Sequence, residues 1–366
     1  MAQHTSYDLK QMQSLPLEAK IRMTKQRIKA WYESWIQYEI INPETGKTRY
    51  VTATEEPPLK EGEYINSEID GQVYVSFSGG KDSTVLKHIV DSMYKDIPAV
   101  FVNTGLEYPE IQNFVREIKA GKYDCFNSNV EIVRPELRFD EVIKKYGYPV
   151  ISKEVSLKLS ETRSCPWGYA SQSFDPNSSK IQKYGARFDL SRWKFLLDSD
   201  FLISHKCCDV MKKKPAKQYE KQTGRKPIVG TMASESKARK TVWEKNGCNA
   251  FEAKRPISQP LSFWTEQDVL QYIKEFNVPY CSVYGDIVAI DGKLKTTQCD
   301  RTGCIFCMFG CHLEKSPNRF QRLKETHPRQ YEYCIGGGEM VDGKWQPNKE
   351  GLGLGKVLDY INVEYK

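Results

Sequence analysis

The sequence predicts a three-layer α/β/α fold with a mostly parallel sheet. An N-terminal helix and β-rich extension precede it, and a C-terminal cysteine-rich loop follows. Three observations carry this expectation. From residue 73, short apolar runs alternate with amphipathic stretches, the pattern of βαβ units packed on a parallel sheet. A Gly-Gly turn at 79–80 joins the first apolar run to the helix after it. Four of the eleven cysteines crowd into residues 299–311.

In chain order, residues 17–36 place Ile21, Ile28, Trp31 and Trp35 at helical spacing, which predicts an amphipathic helix with a core-facing stripe. Residues 37–70 differ: Pro-Glu-Thr-Gly and Pro-Pro turn signals separate β-prone stretches, which reads as a small β-rich insertion. VYVSF (73–77) is a short buried strand, SGGKDS a turn, TVLKHIVDSMY a helix, and IPAVFVNTG a second strand ending in a turn. Further strands are expected in NVEIVRP and KPIVGTM, and helices near 109–120, 138–147 and 265–276. The last of these helices has Thr265 as its N-cap and Asp268 at N3. These elements divide the chain into three segments: 1–70, a nucleotide-binding α/β domain over 71–290, and a cysteine-rich region and tail over 291–366.

Apolar residues make up 39% of the 366, which excludes a disordered chain and, with no apolar run near spanning length, a membrane protein. The first twenty residues lack the charged-then-apolar pattern of a signal peptide, so the cytoplasm is the expected compartment. Cytoplasmic thiols stay reduced, and clustered ones there point to metal or catalysis before disulfides. The net charge of +7 suits an anionic ligand, either a nucleotide or a nucleic acid.

The turn Ser78-Gly79-Gly80-Lys81-Asp82-Ser83 follows a strand and opens a helix. Two glycines let the backbone come close to a ligand, and the free amides and dipole of a helix N-terminus favour an anion. The Ser78 and Ser83 hydroxyls can donate to phosphate oxygens, and Lys81 adds positive charge. The Walker A spacing is absent. Among the cysteines, Cys304 and Cys307 have the short spacing that lets two thiolates reach one metal, and a second pair, Cys207-Cys208, lies upstream. A local set of Cys299, Cys304, Cys307 and Cys311 is a rival, and thiolates serve zinc as well as iron–sulfur centres. Lys206, Lys212–Lys214 and Arg301 lie near enough in sequence to offset thiolate charge. Trp167, Tyr169, Trp193 and Phe195 stand among basic residues and can stack bases, although core packing is the commoner use of such side chains.

Ser-Gly-Gly-Lys-Asp-Ser resembles the PP-loop signature of ATP pyrophosphatases and sulfonucleotide reductases. Val100–Gly105 with Glu107-Tyr108-Pro109, Ile228–Thr231 with Ser234, Glu235 and Arg239, and the stretch from Pro256 to Tyr280 are similar to later elements of PAPS reductase-like proteins. The resemblance covers roughly 71–290 and is nearest to members associated with phages and mobile elements. It implies a PP-loop, adenine nucleotide alpha-hydrolase-like fold that binds ATP, APS or PAPS. In that carry-over Ser78–Ser83 hold phosphates, backbone around Asn103, Thr104 and Gly105 meets the adenine edge, and Thr231 and Arg239 reach the phosphate or sulfate side. Lys81, Asp82 and Arg239 are the implied catalytic residues, with Asp82 orienting Mg2+, and Lys153 and Glu154 are either further site residues or a surface pair on a helix.

The Cys-Cys pair followed far downstream by Cys-x2-Cys resembles the ligand pattern of APS-reducing enzymes. It implies a [4Fe–4S] cluster on Cys207, Cys208, Cys304 and Cys307, with zinc the alternative. The reaction implied is sulfur transfer or sulfonucleotide reduction, with a sulfur donor or reductant protein as partner and DNA or RNA as a further one. The Glu-Cys-Gly-Leu-His nucleophile motif of the reductases is absent; Cys334, before three glycines, is the only tail thiol. The second reading is a nucleotide-sensing or nucleic-acid-binding protein without catalysis, its cysteines holding a structural zinc.

Overall fold

A computed structural model describes residues 4–53, 55–69 and 71–366. Helices α1 (Ser6–Gln13) and α2 (Leu17–Glu33) open the chain, and strands β1 (Ile36–Asn42), β2 (Lys47–Ala53) and β3 (Tyr64–Ile69) follow. Alternation then begins with β4 (Val73–Ser76), α3 (Lys81–Asp91), β5 (Ala99–Val102), α4 (Pro109–Lys119) and β6 (Val130–Val133). A helical stretch holds α5 (Phe139–Tyr146), α6 (Lys153–Ser164), α7 (Ser179–Tyr184) and α8 (Lys214–Thr223). The chain continues through β7 (Lys226–Val229), α9 (Lys237–Asn246), β8 (Asn249–Ala250), β9 (Ile257–Ser258) and α10 (Glu266–Glu275). The hairpin β10–β11 (Ile287–Ile290, Lys293–Thr296), α11 (Arg319–Thr326), α12 (Pro328–Ile335), the hairpin β12–β13 (Glu339–Val341, Lys344–Gln346) and α13 (Leu354–Tyr360) complete it.

The chain forms two compact units, one of residues 1–103, 108–133 and 216–302, the other of 104–107, 134–215 and 303–366. The sequence-drawn segment 71–290 is therefore shared between them, because the chain leaves the sheet after β6 and returns to it only with β7. No helix among the described residues is long and apolar enough to cross a membrane.

The first unit is built on a six-stranded sheet in the order β6-β5-β4-β7-β9-β8, parallel except for the β8–β9 pair. Alternation along the strands separates two faces. Val73, Val75, Ala99, Phe101 and Ile228 join one cluster with Ile28 and Trp31 of α2, Val85 and Ile89 of α3, Ile111 and Val115 of α4, and Val269 of α10. Tyr74 and Val100 point the other way and meet Tyr219 of α8. Helices thus cover both faces, as a mostly parallel sheet requires. Each fully buried aliphatic side chain here is worth about 1.5–3 kcal/mol.

The expected helix over 17–36 ends at Glu33, with Ser34 as its cap. Trp35 lies past the end and packs edge-on against Trp31, ring centroids 5.4 Å apart. Residues 36–69 form the antiparallel sheet β2-β1-β3. Thr265 caps α10 and closes a capping box with Asp268. In the second unit, Tyr148, Leu159, Leu196, Phe201, Leu354, Val357 and Leu358 are buried, so the tail packs inward as its apolar spacing predicts.

Candidate functional site

The turn after β4 is shaped by its glycines. Gly79 has φ +72°, and a Cβ there would stand 2.9 Å from Ile111 Cγ2. A Cβ on Gly80 would stand 3.2 Å from the Tyr284 hydroxyl. The turn is fastened from within: Ser78 N donates to Ser83 Oγ at 3.2 Å, the two serine hydroxyls lie 3.0 Å apart, and Ser83 Oγ donates to Gly80 O at 2.9 Å. Lys81 N donates to the Tyr284 hydroxyl at 3.2 Å, and that hydroxyl lies 3.0 Å from Thr302 Oγ1. Helix α3 starts at Lys81, so the amides of its first turn have no intrahelical acceptor.

Charge gathers at the same point. Lys81 is buried, its Nζ 3.1 Å from Glu266 and donating to Asp300 O at 2.6 Å, over the Tyr284 ring. Arg239 pairs with Glu235, and Arg301 approaches the same carboxylate at 3.8 Å. Burial pushes the Asp82 carboxyl up, against the pull of Lys81, Arg301 and Arg239. Burial lowers the Arg239 guanidinium, and Arg301 beside it lowers it further. Asp82 Oδ1 is buried and has no hydrogen-bond partner. Three cations, Lys81, Arg239 and Arg301, thus stand with three carboxylates, Asp82, Glu235 and Glu266, at the start of α3.

The remaining nucleotide-side residues of the first unit sit at the carboxyl ends of neighbouring strands, where ligands of open α/β sheets bind. Strand β5 pairs with β4, and Asn103, just past β5, donates its amide to Val133 O at 2.9 Å. Beyond β7, a Cβ on Gly230 would stand 3.0 Å from Asp82 O, and Thr231 Oγ1 accepts from Gln259. Thr104 and Gly105 belong to the second unit, where Thr104 closes a turn on Glu107 through its amide (3.0 Å) and hydroxyl (2.6 Å). Arg301, Tyr284 and Thr302 were not picked out for this site from sequence. They lie far from the turn along the chain, and no local pattern announces them.

The second unit brings Cys207, Cys208, Cys304 and Cys307 into one electrostatic neighbourhood. The Cys207 thiol is pushed up by Cys208 first, then by burial and by Cys304 and Cys307. The Cys208 thiol beside it is brought down, by Cys207 first; burial opposes this, and Lys153 and Lys212 assist. Burial raises Cys304 to about 11 against the pull of Lys212, and raises Cys307 against the Phe309 amide and Arg319. Among the described residues no three His, Cys, Asp or Glu are gathered so as to hold an ion, so these thiols share a neighbourhood without closing on one point. The donor set fits a thiolate-held metal or cluster: soft ligands that crowd each other, with cations beside them. Cys311 is buried, raised to about 12 mainly by burial, and donates to Met308 O at 3.0 Å. Cys299 belongs to the first unit and donates to Arg301 O at 2.8 Å.

Local backbone explains this placement. A π-helical turn, Asp209–Lys213, follows Cys208, and such turns are common at functional sites. Lys212 lies by Cys304 and Cys208, whereas Lys213 pairs with Asp209, Lys214 pairs with Glu136 and Lys206 lies over Tyr146. Lys212 acts on the thiols, alongside Lys153 at the start of α6. Glu154 is exposed. Ile151, a β-branched residue at φ +60°, bridges to Phe309 and accepts from Gly310 N at 2.8 Å. That strained conformation is held by the surrounding packing and ties α6 to the Cys304–Cys307 turn. Cys334 is fully buried in α12 and its thiol is pushed well up by burial. The glycines after it are packed, since a Cβ on Gly337 would stand 2.2 Å from Gly351 N.

The family model for the phosphoadenosine phosphosulfate reductase domain matches residues 72–159 and 173–309, more than half of the chain. The chain belongs to this family. The match takes in the Gly-Gly turn, Arg239 and all four thiols of the Cys-Cys and Cys-x2-Cys pairs, and it skips 160–172. Two uncharacterized proteins of Methanocaldococcus jannaschii are similar, at 23% identity over 70% of this chain and 25% over 76%. The chain spans 45% and 46% of those relatives, a little under half of each. A phosphoadenylyl-sulfate (PAPS) reductase from Candida auris, in a phosphate complex, matches over 61% of this chain and 83% of its own, at 17% identity and a TM-score of 0.34, too loose to carry weight.

Proposed function

We propose that the chain is a PP-loop enzyme that binds an adenine nucleotide on Ser78–Ser83 and transfers sulfur, with a [4Fe–4S] cluster on Cys207, Cys208, Cys304 and Cys307. The observation that carries this reading is the convergence of the Ser78–Ser83 turn, the first-turn amides of α3 and the cations Lys81, Arg239 and Arg301 at one place, where Asp82, Glu235 and Glu266 also stand. In a family defined by a sulfonucleotide domain, that convergence is best explained by phosphate.

The turn amides and the Ser78 and Ser83 hydroxyls would hold phosphate oxygens, and Lys81 and Arg239 would offset charge developing on the leaving group. Asp82, whose Oδ1 is buried without a hydrogen-bond partner, would orient a Mg2+ on those oxygens. With ATP, a substrate oxygen attacks the α-phosphorus and pyrophosphate leaves with the bonding pair. A sulfur nucleophile then attacks the carbon or phosphorus that bears the adenylated oxygen, and AMP departs with that oxygen. When bound, the cluster supplies an iron site for sulfur or an electrostatic bias. Lys212 and Lys153 would balance the thiolate charge, and Arg319 would hold the Cys304–Cys307 turn through Cys307 O at 2.8 Å. Burial of Cys334 favours this branch over reduction of APS or PAPS, which needs a mobile thiol to attack sulfur.

The test uses anaerobically purified full-length chain. It is offered ATP with a sulfide donor, and separately APS or PAPS with a dithiol. Pyrophosphate and AMP formation lost in Lys81→Ala supports sulfur transfer. Sulfite from APS or PAPS would instead assign the reductase branch. No turnover with any nucleotide would contradict catalysis, and one zinc per chain without iron would contradict the cluster.

A further inference from the structure

Residues 165–195 lie within the second unit, at and beyond the 160–172 stretch that the family match skips. They fold as 3-10 turns around the short helix α7. The segment leaves flat rings in solvent: Trp167 is 88% exposed, Tyr169 58% and Tyr184 51%. Burying such rings is the usual outcome.

Tyr169 and Phe188 are linked through a cation, and Tyr184 joins them through Phe188. Lys180 is buried, donates to Ser173 Oγ at 2.6 Å, and places its Nζ 4.5 Å from the Tyr169 ring centre and 6.0 Å from that of Phe188. Tyr184 meets Phe188 edge-on at 5.8 Å, and Arg187 lies over the same ring at 5.6 Å. Lys183 and Arg187 are exposed. Between 165 and 195 there are five Lys or Arg and two Asp. The exposed large apolar side chains of the segment are all aromatic, with no aliphatic one among them.

We infer that this face binds single-stranded nucleic acid, its exposed rings stacking on bases while Lys183 and Arg187 meet the phosphates. Stacking platforms interleaved with cations suit a single strand, because every base offers a π-face and every step a charge. The core of a protein interface also uses Tyr, Trp and Arg but is depleted of Lys, whereas Lys180 and Lys183 stand over the Tyr169 and Tyr184 rings. The inference rests on this surface alone and holds whichever nucleotide reaction the chain performs.

The test is fluorescence anisotropy of the full-length chain with labelled dT20 and U20 at 50 and 200 mM salt. Saturable binding is expected that weakens with salt. Trp167→Ala/Tyr169→Ala should lose at least about tenfold in affinity for these strands. Trp167→Phe/Tyr169→Phe, which keeps the rings, should stay near wild type, and Lys183→Glu/Arg187→Glu should flatten the salt dependence. Circular dichroism shows whether each variant is folded. If the Ala pair is not folded, the Lys183→Glu/Arg187→Glu pair decides. The inference is overturned if neither strand binds at 50 mM salt, if a 20-base-pair duplex binds as tightly, or if folded ring-deleted protein binds unchanged. It is also overturned if the ring-deleted variant loses only self-association in sedimentation velocity, which would assign the face to a second copy of the chain.

Discussion

Gly79, Lys81 and Asp82 show how much one residue decides at this site. Gly79 combines a left-handed backbone with a Cβ position 2.9 Å from Ile111 Cγ2. Gly79→Ala should therefore destabilise the chain by about 1–3 kcal/mol and weaken nucleotide binding, seen as a lower urea midpoint and a weaker titration. His88 gives a pH test away from the chemistry. It lies 2.9 Å from the Tyr272 hydroxyl, and burial, then Lys25, lowers it from 6.5. A base with a depressed folded value is stabilised as the neutral form. Its contribution is complete above pH 6.5 and is lost as pH falls through the folded value. His88→Gln should reduce the fall in melting temperature between pH 7.5 and 5.5, measured by differential scanning fluorimetry; an unchanged slope would contradict it. Residue types and spacing made Ser78–Ser83 legible. Arg301, Tyr284 and Thr302 were not legible there, because each reaches the turn from about 200 residues away through tertiary packing.

Among the elements, α10 is the most testable. Its Thr265–Asp268 capping box was readable because caps are local. The second role of Asp268 was not: it binds buried Lys20 at 2.7 Å, from a helix 248 residues earlier. Thr265→Ala should cost about 1 kcal/mol. Asp268→Asn should cost about 3–5 kcal/mol, because it strands a buried ammonium. Lys20→Met/Asp268→Leu should recover most of that loss, and chemical denaturation separates the three. The helices and strands drawn from the sequence, α2–α5, α10 and β4–β7, fell within a few residues of their expected positions, since periodicity and turn residues are local signals, whereas α6–α9, α11–α13 and the two C-terminal hairpins were not drawn. The π-helical turn after Cys208 and the strained Ile151 were not foreseen, since both are imposed by packing around the thiols.

At the scale of the whole molecule, the sequence order of segments hides how the chain divides: 134–215 leaves the sheet and joins the cysteine turn and the tail in the second unit. This is why the distant Cys207-Cys208 and Cys304-x2-Cys307 pairs share a neighbourhood while Cys299, five residues from Cys304, belongs to the other unit. Anaerobic iron and sulfide analysis should find both lost in Cys207→Ser and Cys304→Ser and retained in Cys299→Ser; loss in Cys299→Ser alone would overturn this ligand set.

The most direct measurement is calorimetric titration of anaerobic full-length chain with ATP, APS and PAPS, beside Lys81→Ala/Arg239→Ala. Nucleotide binding on Ser78–Ser83 predicts one saturable site for at least one of the three. The double variant should bind at least about a hundredfold more weakly, since two charge-assisted contacts at about 1.5–3 kcal/mol each are lost. No binding of any of the three at millimolar concentration, or equal binding by the double variant, would contradict it.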